Sequence, residues 1–241
     1  MFSKIPVPRA DWDKENMRYM MCFFPLIGVV IGVLLQGLGI LCTWLSFGDT
    51  MRGASFVLLP VLVTGGIHMD GFLDTTDALS SWQPREKKLE ILNDSHAGAF
   101  AIIMGCSYFA LALGVWSEMD LKVLPVAGLI FVVSRTLSSL ALSTFPKANK
   151  SGSLSMFSDA AQKRILLITL ALWLIVCAGV GICLDWKQTI LLFVTAAVVY
   201  GSYYRLAMKQ FGGTTGDIAG FFTQICELAC AFVIMLGGKL L

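Results

Sequence analysis

Residues 65–100 read GGIHMDGFLDTTDALSSWQPREKKLEILNDSHAGAF and place Asp70, Asp74, Asp77, Glu90 and Asp94 between two strongly apolar stretches. On a helix, positions 70, 74 and 77 fall at i, i+4 and i+7, so three carboxylates crowd one face and repel by about 0.2–0.5 kcal/mol per pair. A divalent cation resolves that conflict. Carboxylate oxygens at a wet membrane edge suit Mg²⁺, which keeps several waters and completes its shell with substrate phosphates. The spacing therefore predicts Asp70, Asp74 and Asp77 as metal ligands and phosphate chemistry beside them. Glu90 and Asp94, again i and i+4, form a second acidic pair. The competing reading is a solvated helix whose polar side is acidic. It is opposed by the lack of any basic residue among the three aspartates and by their closeness to a hydrophobic span, where an unneutralised carboxylate is costly.

Arg85, Lys87 and Lys88 lie between the two acidic groups, where phosphate oxygens bridged to a metal need further cationic contacts. The charge bias of cytoplasmic loops also accounts for them, and Arg85 is the preferred phosphate contact. His68, two residues before Asp70, points away from it on a helix and reads as an interfacial or supporting donor. His96 carries a weaker signal. A second constellation is Phe211-Gly-Gly-Thr-Thr-Gly-Asp217, a glycine turn before the last apolar stretch. Free N–H groups and the positive helix end there favour a phosphate. Gly213, Thr215 and Gly216 are then candidate substrate contacts and Asp217 a further metal ligand; the alternative is an ordinary loop whose Asp217 caps the helix. Glu227 and Arg135 lie inside apolar spans, where ionisable residues are by default functional candidates. Both are expected to line one polar cavity.

The elements that position these residues must be membrane helices. The 241 residues are 56% hydrophobic and 14% charged, with a mean hydropathy of +0.76, whereas soluble domains are about 25% charged. A spanning helix needs roughly 20 apolar residues, and such stretches occur near 21–45, 54–70, 97–116, 121–143, 165–184, 188–208 and 218–236. The second has a short apolar stretch and is expected to run straight on into the acidic segment. The polar first 20 residues do not suit a signal peptide. With the N-terminus inside, thirteen Lys and Arg fall on inner segments, against Arg52, Lys122, Lys187 and Lys239 outside. By the charge rule this makes the N-terminus cytoplasmic. The acidic segment, the polar loop 144–164 and the glycine turn then share the cytoplasmic face.

The formal net charge of +2 is spread along that face and carries no nucleic-acid signature. The seven cysteines lie in apolar stretches without a CxxC and read as reduced core residues. No internal repeat is present. The expected architecture is all-α, a single integral membrane domain over 1–241 with about seven transmembrane helices and a catalytic segment at about 65–98.

The motif Gly65-Gly66-Ile-His68-Met-Asp70-Gly71-Phe-Leu-Asp74-Thr75-Thr-Asp77, followed by Arg85, Leu89-Glu90-Ile91 and Asp94-Ser95, resembles the signature of the cobalamin synthase family, the adenosylcobinamide-GDP ribazoletransferases. The resemblance runs nearly end to end. It takes in Ile5-Pro-Val-Pro8, Phe24-Pro25 with Gly28 and Gly32, Ser134-Arg135, Gly152 with Phe157, and Gly212-Gly213-Thr-Thr215-Gly216-Asp217 with Gly220 and Glu227. It departs at Ala78, usually Gly; at Asn93, usually basic; at His96-Ala97, a variable position; and at Gln224, where an acid is common.

The resemblance implies a Mg²⁺-dependent enzyme of the bacterial cytoplasmic (inner) membrane. Such an enzyme joins adenosylcobinamide-GDP to α-ribazole or α-ribazole 5′-phosphate, releases GMP, and yields adenosylcobalamin or its 5′-phosphate. A ribose hydroxyl attacks the phosphorus bearing the cobinamide arm. Asp70, Asp74, Asp77, Asp94 and Asp217 are then the metal ligands; Asp74, Asp94 and Glu90 are the catalytic group, with Asp94 the preferred base. His68, Arg85, Arg135, Gly213, Thr215, Gly216 and Glu227 contact substrate. The lipid bilayer is a partner, nucleic acid is not, and self-association into a homo-oligomer is left open. Two other classes share these features in part. A CDP-alcohol phosphotransferase has similar aspartates, with an Ala-Arg pair and a wider gap that are missing here. A cation transporter has acids among apolar spans, but near the midplane of pseudo-symmetric halves.

Overall fold

The protein is all-α, polytopic and built to lie in a membrane. The computed structural model describes Ser3 and residues 20–94, 96–148 and 163–240; Ile5 to Pro8, Ser95, Gly152 and Phe157 of the motifs above lie outside the described residues. The helices are α1 (Met20–Trp44), α2 (Asp49–Thr64), α3 (Ile67–Ser80), α4 (Arg85–Ile91), α5 (Ala99–Ser117), α6 (Leu124–Thr144), α7 (Lys163–Leu206) and α8 (Gly216–Leu240), with a π-helical turn at Ala207–Phe211 after α7. Among the described residues five helices are each long and apolar enough to cross a membrane: α1, α5, α6, α7 with its π turn, and α8. Val33, Ile40, Leu62, Ile175 and Val198 stand exposed on this bundle, as side chains that meet lipid do.

Helices in lipid gain little from the hydrophobic effect and associate through close van der Waals packing at small residues. Gly28, four residues before Gly32, supplies that packing here. A Cβ on Gly28 would fall 2.2 Å from the Phe131 carbonyl oxygen, and one on Gly32 2.8 Å from that of Gly128. The α1 and α6 backbones therefore touch. Most side chains of α6 are buried, and the centre of the molecule lies between it and α8.

The second apolar stretch does not continue into the acidic segment as expected. Helix α2 stops at Thr64, because Gly65 (φ 70) and Gly66 (φ 83) take the left-handed conformation that ends helices, and the Gly65 N–H closes on the Val61 carbonyl. Helix α3 then leaves at 96° to α2. With 16 and 14 residues, the two are about 24 and 21 Å long, each short of the roughly 30 Å hydrocarbon core.

Helix α7 has 44 residues, which in one straight run would be about 66 Å long, twice that thickness. Asp185 breaks it (φ −160, ψ 107) and its carboxylate accepts from the N–H groups of Lys187 and Gln188 at 2.9 and 3.1 Å, capping the second arm. A Cβ on Gly181 would lie 2.6 Å from the Thr189 Oγ1, which is impossible for positions about 12 Å apart along a straight helix. Leu166 packs with Met21 and Leu142, and Tyr203 bonds Thr214, so both ends of α7 lie where α1 begins and α6 ends. The chain reverses at Asp185, and the two arms are the expected stretches 165–184 and 188–208.

All seven cysteines are free. Cys22, Cys42, Cys177, Cys226 and Cys230 are buried as expected, whereas Cys106 and Cys183 face outward from apolar helices.

Candidate active site

Helix α3 carries the aspartates on one face because its spacing demands it, and its opposite face is pressed onto α8. The close approach is again made by glycine. A Cβ on Gly71 would meet the Asp217 backbone oxygen at 2.6 Å, and one on Gly220 the His68 oxygen at 3.2 Å. Phe72 and Phe221 stack beside this crossing with centroids 5.7 Å apart. The crossing brings Asp217, at the start of α8, to the acids of α3. Asp70, Asp217 and Asp77 all act electrostatically on Asp74, which makes Asp74 the centre of a four-carboxylate group. Asp77 also reaches the next element: a Cβ on Gly98 would lie 2.3 Å from its Oδ1. The carboxylate therefore rests against the N-terminus of α5, where the helix dipole favours negative charge.

The second acidic pair does not hold together. Helix α4 ends at Ile91, so Glu90 and Asp94 no longer share a helical face. Glu90 accepts from Lys87 Nζ at 2.7 Å, and Asp94 Oδ1 accepts from the His96 N–H at 3.0 Å and meets its Nδ1 at 2.8 Å. The His96 ring contact and backbone bond hold the exposed Asp94 carboxyl below the usual carboxylate range. A carboxylate so stabilised is a weaker base than an ordinary one.

Arg85 opens α4, and its guanidinium packs over Gly212: a Cβ there would fall 2.0 Å from Nη1. Gly212 has φ +68, the left-handed conformation that favours glycine, and without a side chain it lets the guanidinium sit directly on the turn. Lys88, three residues on, is buried and donates to Gln210 Oε1 at 2.6 Å.

The glycine turn binds differently from the expectation. Its first amides are already used: Gly212 N–H donates to Met208 O at 3.1 Å, Gly213 N–H to Ala207 O at 3.2 Å and Thr214 N–H to Pro146 O at 2.8 Å. Gly213 is required for packing, since a Cβ would lie 2.4 Å from the Ala148 nitrogen. Thr215, not Asp217, caps α8, its Oγ1 accepting from Ile218 N–H at 3.3 Å. The amides of Thr215 and Gly216 take no backbone acceptor among the described residues, which leaves them as the candidate anion donors of the turn.

Arg135 and Glu227 do not line a shared open cavity. Arg135 is fully buried; its Nη1 donates to Glu227 Oε1 at 2.6 Å and to Phe131 O at 3.0 Å, and Ser134 Oγ adds a bond to Glu227 at 3.0 Å. Each charge needs its partner in so apolar a place, and the pair locks α6 to α8. His68 is buried edge-on to Phe24, with no hydrogen-bond partner for Nε2 among the described residues.

Among the described residues no three His, Cys, Asp or Glu side chains converge tightly enough to cage an ion by themselves. Asp74 and the three acids around it nonetheless fit Mg²⁺. They are hard oxygen donors without a basic residue among them, and Mg²⁺ is held by one or two carboxylates with water and substrate phosphate rather than by an all-protein cage. Sequence reasoning passed over Gln210 and Gly98, since neither a lone glutamine nor a lone glycine signals its distant neighbour.

A family model described as cobalamin-5-phosphate synthase matches residues 1–235. The chain is 42% identical to an adenosylcobinamide-GDP ribazoletransferase of Lachnoclostridium phytofermentans over 98% of its own length and 90% of the relative's. It is 31% identical to one from Clostridium botulinum (96% and 92%) and 30% identical to one from Geobacillus thermodenitrificans (91% and 86%). No solved structure matches it significantly.

Proposed function

The chain belongs to the cobalamin-5-phosphate synthase family and is a transferase of cobalamin biosynthesis, and from that premise we propose that it joins adenosylcobinamide-GDP to α-ribazole or α-ribazole 5′-phosphate, with release of GMP, at the α3 acid face. The observation that carries the proposal is the meeting of four carboxylates centred on Asp74 with the free Thr215 and Gly216 amides and the Arg85 guanidinium at the head of α8. Anionic and cationic groups so close together suit a diphosphate held with a metal.

The ribazole hydroxyl attacks the phosphorus that carries the cobinamide arm; that P–O bond forms as the bond to the GMP oxygen breaks. Asp70, Asp74 and Asp217, with Asp77 beside them against Gly98, would hold Mg²⁺, which would supply neutralisation of charge on the diphosphate and on the departing oxygen. Arg85 and the two free amides orient the phosphates, and in-line placement of the reactants supplies most of the acceleration. The hydroxyl proton passes to Asp94, Glu90 or water. Asp94 needs little basicity if bond breaking runs ahead of bond making. Arg135, Glu227 and His68 act from beneath, fixing α6, α8 and α3. The corrinoid lies along the bundle with its diphosphate at α3, and the face carrying the site is cytoplasmic.

The test is GMP release by the detergent-purified, lipid-supplemented protein given adenosylcobinamide-GDP, with and without α-ribazole 5′-phosphate and with Mg²⁺ or a chelator. Release that requires both acceptor and metal supports the reaction. Release without acceptor, or full release in chelator, overturns it.

A further inference from the structure

Helix α4 is seven residues long and touches both α3, which precedes it in the chain, and the π turn, which is distant in sequence. Its first residue places a guanidinium on Gly212, and its fourth, Lys88, is buried with its ammonium on the Gln210 amide oxygen, its one side-chain hydrogen-bond partner among the described residues. Burying a lysine costs free energy unless its charge is well bonded, so a Lys here needs a structural return. Gln210 lies inside the π turn, an irregularity that is rare and concentrated at functional sites. That turn holds the amides of Gly212 and Gly213 through Met208 and Ala207, and so sets where the free amides of Thr215 and Gly216 point.

Resting on the diphosphate reading above, we infer that Lys88 is a positioning residue: its bond to Gln210 latches α4 to the π turn and holds Arg85 and the α8 amides in one fixed cradle for the donor diphosphate. Lys88 does not touch the reacting atoms. It acts through Arg85 on one side and through Gln210 on the other. Without the latch, α4 is joined to the turn only by weaker packing, and the cradle must be ordered at the expense of donor binding.

Donor KM, acceptor KM and kcat are measured on the full-length protein for wild type, Lys88→Met, Gln210→Ala and the swap Lys88→Gln with Gln210→Lys. Amide hydrogen exchange is followed at residues 207–216. Lys88→Met and Gln210→Ala are each expected to raise the donor KM about tenfold, with kcat and the acceptor KM within about twofold, the pattern of lost donor binding. Protection of the Gly212 and Gly213 amides falls in parallel. The swap rebuilds the bond in reverse and recovers most of both losses, which a purely bulk role for the lysine would not allow. Unchanged donor KM and protection in both single variants overturns the latch, as does a folded swap that recovers neither. If the wild type releases no GMP, the reaction reading falls, and exchange alone then decides: protection unaltered by Lys88→Met and Gln210→Ala refutes the latch, and loss restored by the swap upholds it.

Discussion

Asp74 stands among three other carboxylates, and nothing basic shares its face. Removing its charge while keeping its shape tests what the group is for. Asp74→Asn is expected to lower GMP release about 100-fold or more, the scale of losing one preorganised electrostatic contact, with insertion and helix content unchanged by circular dichroism. Near-normal turnover at ordinary Mg²⁺ would remove it from the site. Arg135 and Glu227 make a different case, being buried together in one ion pair. Glu227→Gln alone should destabilise the protein by about 3 kcal/mol, because it leaves a buried guanidinium without its counter-charge, whereas the double change Arg135→Met with Glu227→Leu restores much of the loss. Thermal unfolding in detergent checks this. A stable double variant without turnover would give the pair a substrate role after all.

At the level of elements, glycines decide which helices meet. Gly28 against Phe131 sets the α1–α6 contact, and Gly71 against Asp217 sets the α3–α8 crossing on which the site depends. Gly28→Val forces two backbones apart, and the cost is expected to be about 1–3 kcal/mol, the usual price of overpacking. It should show as a lower unfolding temperature, with activity per folded molecule kept. Gly71→Ala is expected to lower stability as well, by about 1–3 kcal/mol, because its Cβ meets the Asp217 backbone. It also moves Asp217 off the α3 acids, so turnover per folded molecule falls by up to about 100-fold, as misplacement of about 1 Å can cause. Steady-state kinetics at several Mg²⁺ concentrations would show whether the loss comes from weaker metal binding.

For the whole molecule, the question is sidedness. One end of the bundle holds α3, α4, the glycine turn and both ends of α7; the other holds Arg52 with Asp49, Lys239 with Glu118, and Asp185. The Lys239 ammonium holds the exposed Glu118 carboxyl below its ordinary range. Lys239→Ala should leave turnover unchanged within about twofold, since an exposed pair contributes little; loss of activity would contradict the topology. With Cys106 and Cys183 replaced by Ser, a membrane-impermeant maleimide should label Gln83→Cys in inverted vesicles and Asp185→Cys in right-side-out ones. The converse pattern would put the site on the outer face.

The sequence by itself determined the class of fold and the chemistry. Apolar stretches of spanning length dictate helices, because only helices and closed barrels satisfy the backbone in lipid, and positions 70, 74 and 77 share a helical face by arithmetic. The glycine turn before α8 was equally legible, as was the family likeness in its motifs. Only the tertiary structure decided which groups are actually available. It turned α2 into α3 at Gly65 and Gly66, gave Asp94 to His96 and Glu90 to Lys87, closed the Gly213 amide inside the π turn, and buried Arg135 on Glu227. Each of those outcomes depends on a partner distant in the chain or on a competition among nearby donors. Periodicity records which face a residue occupies, and it holds no record of what packs against that face.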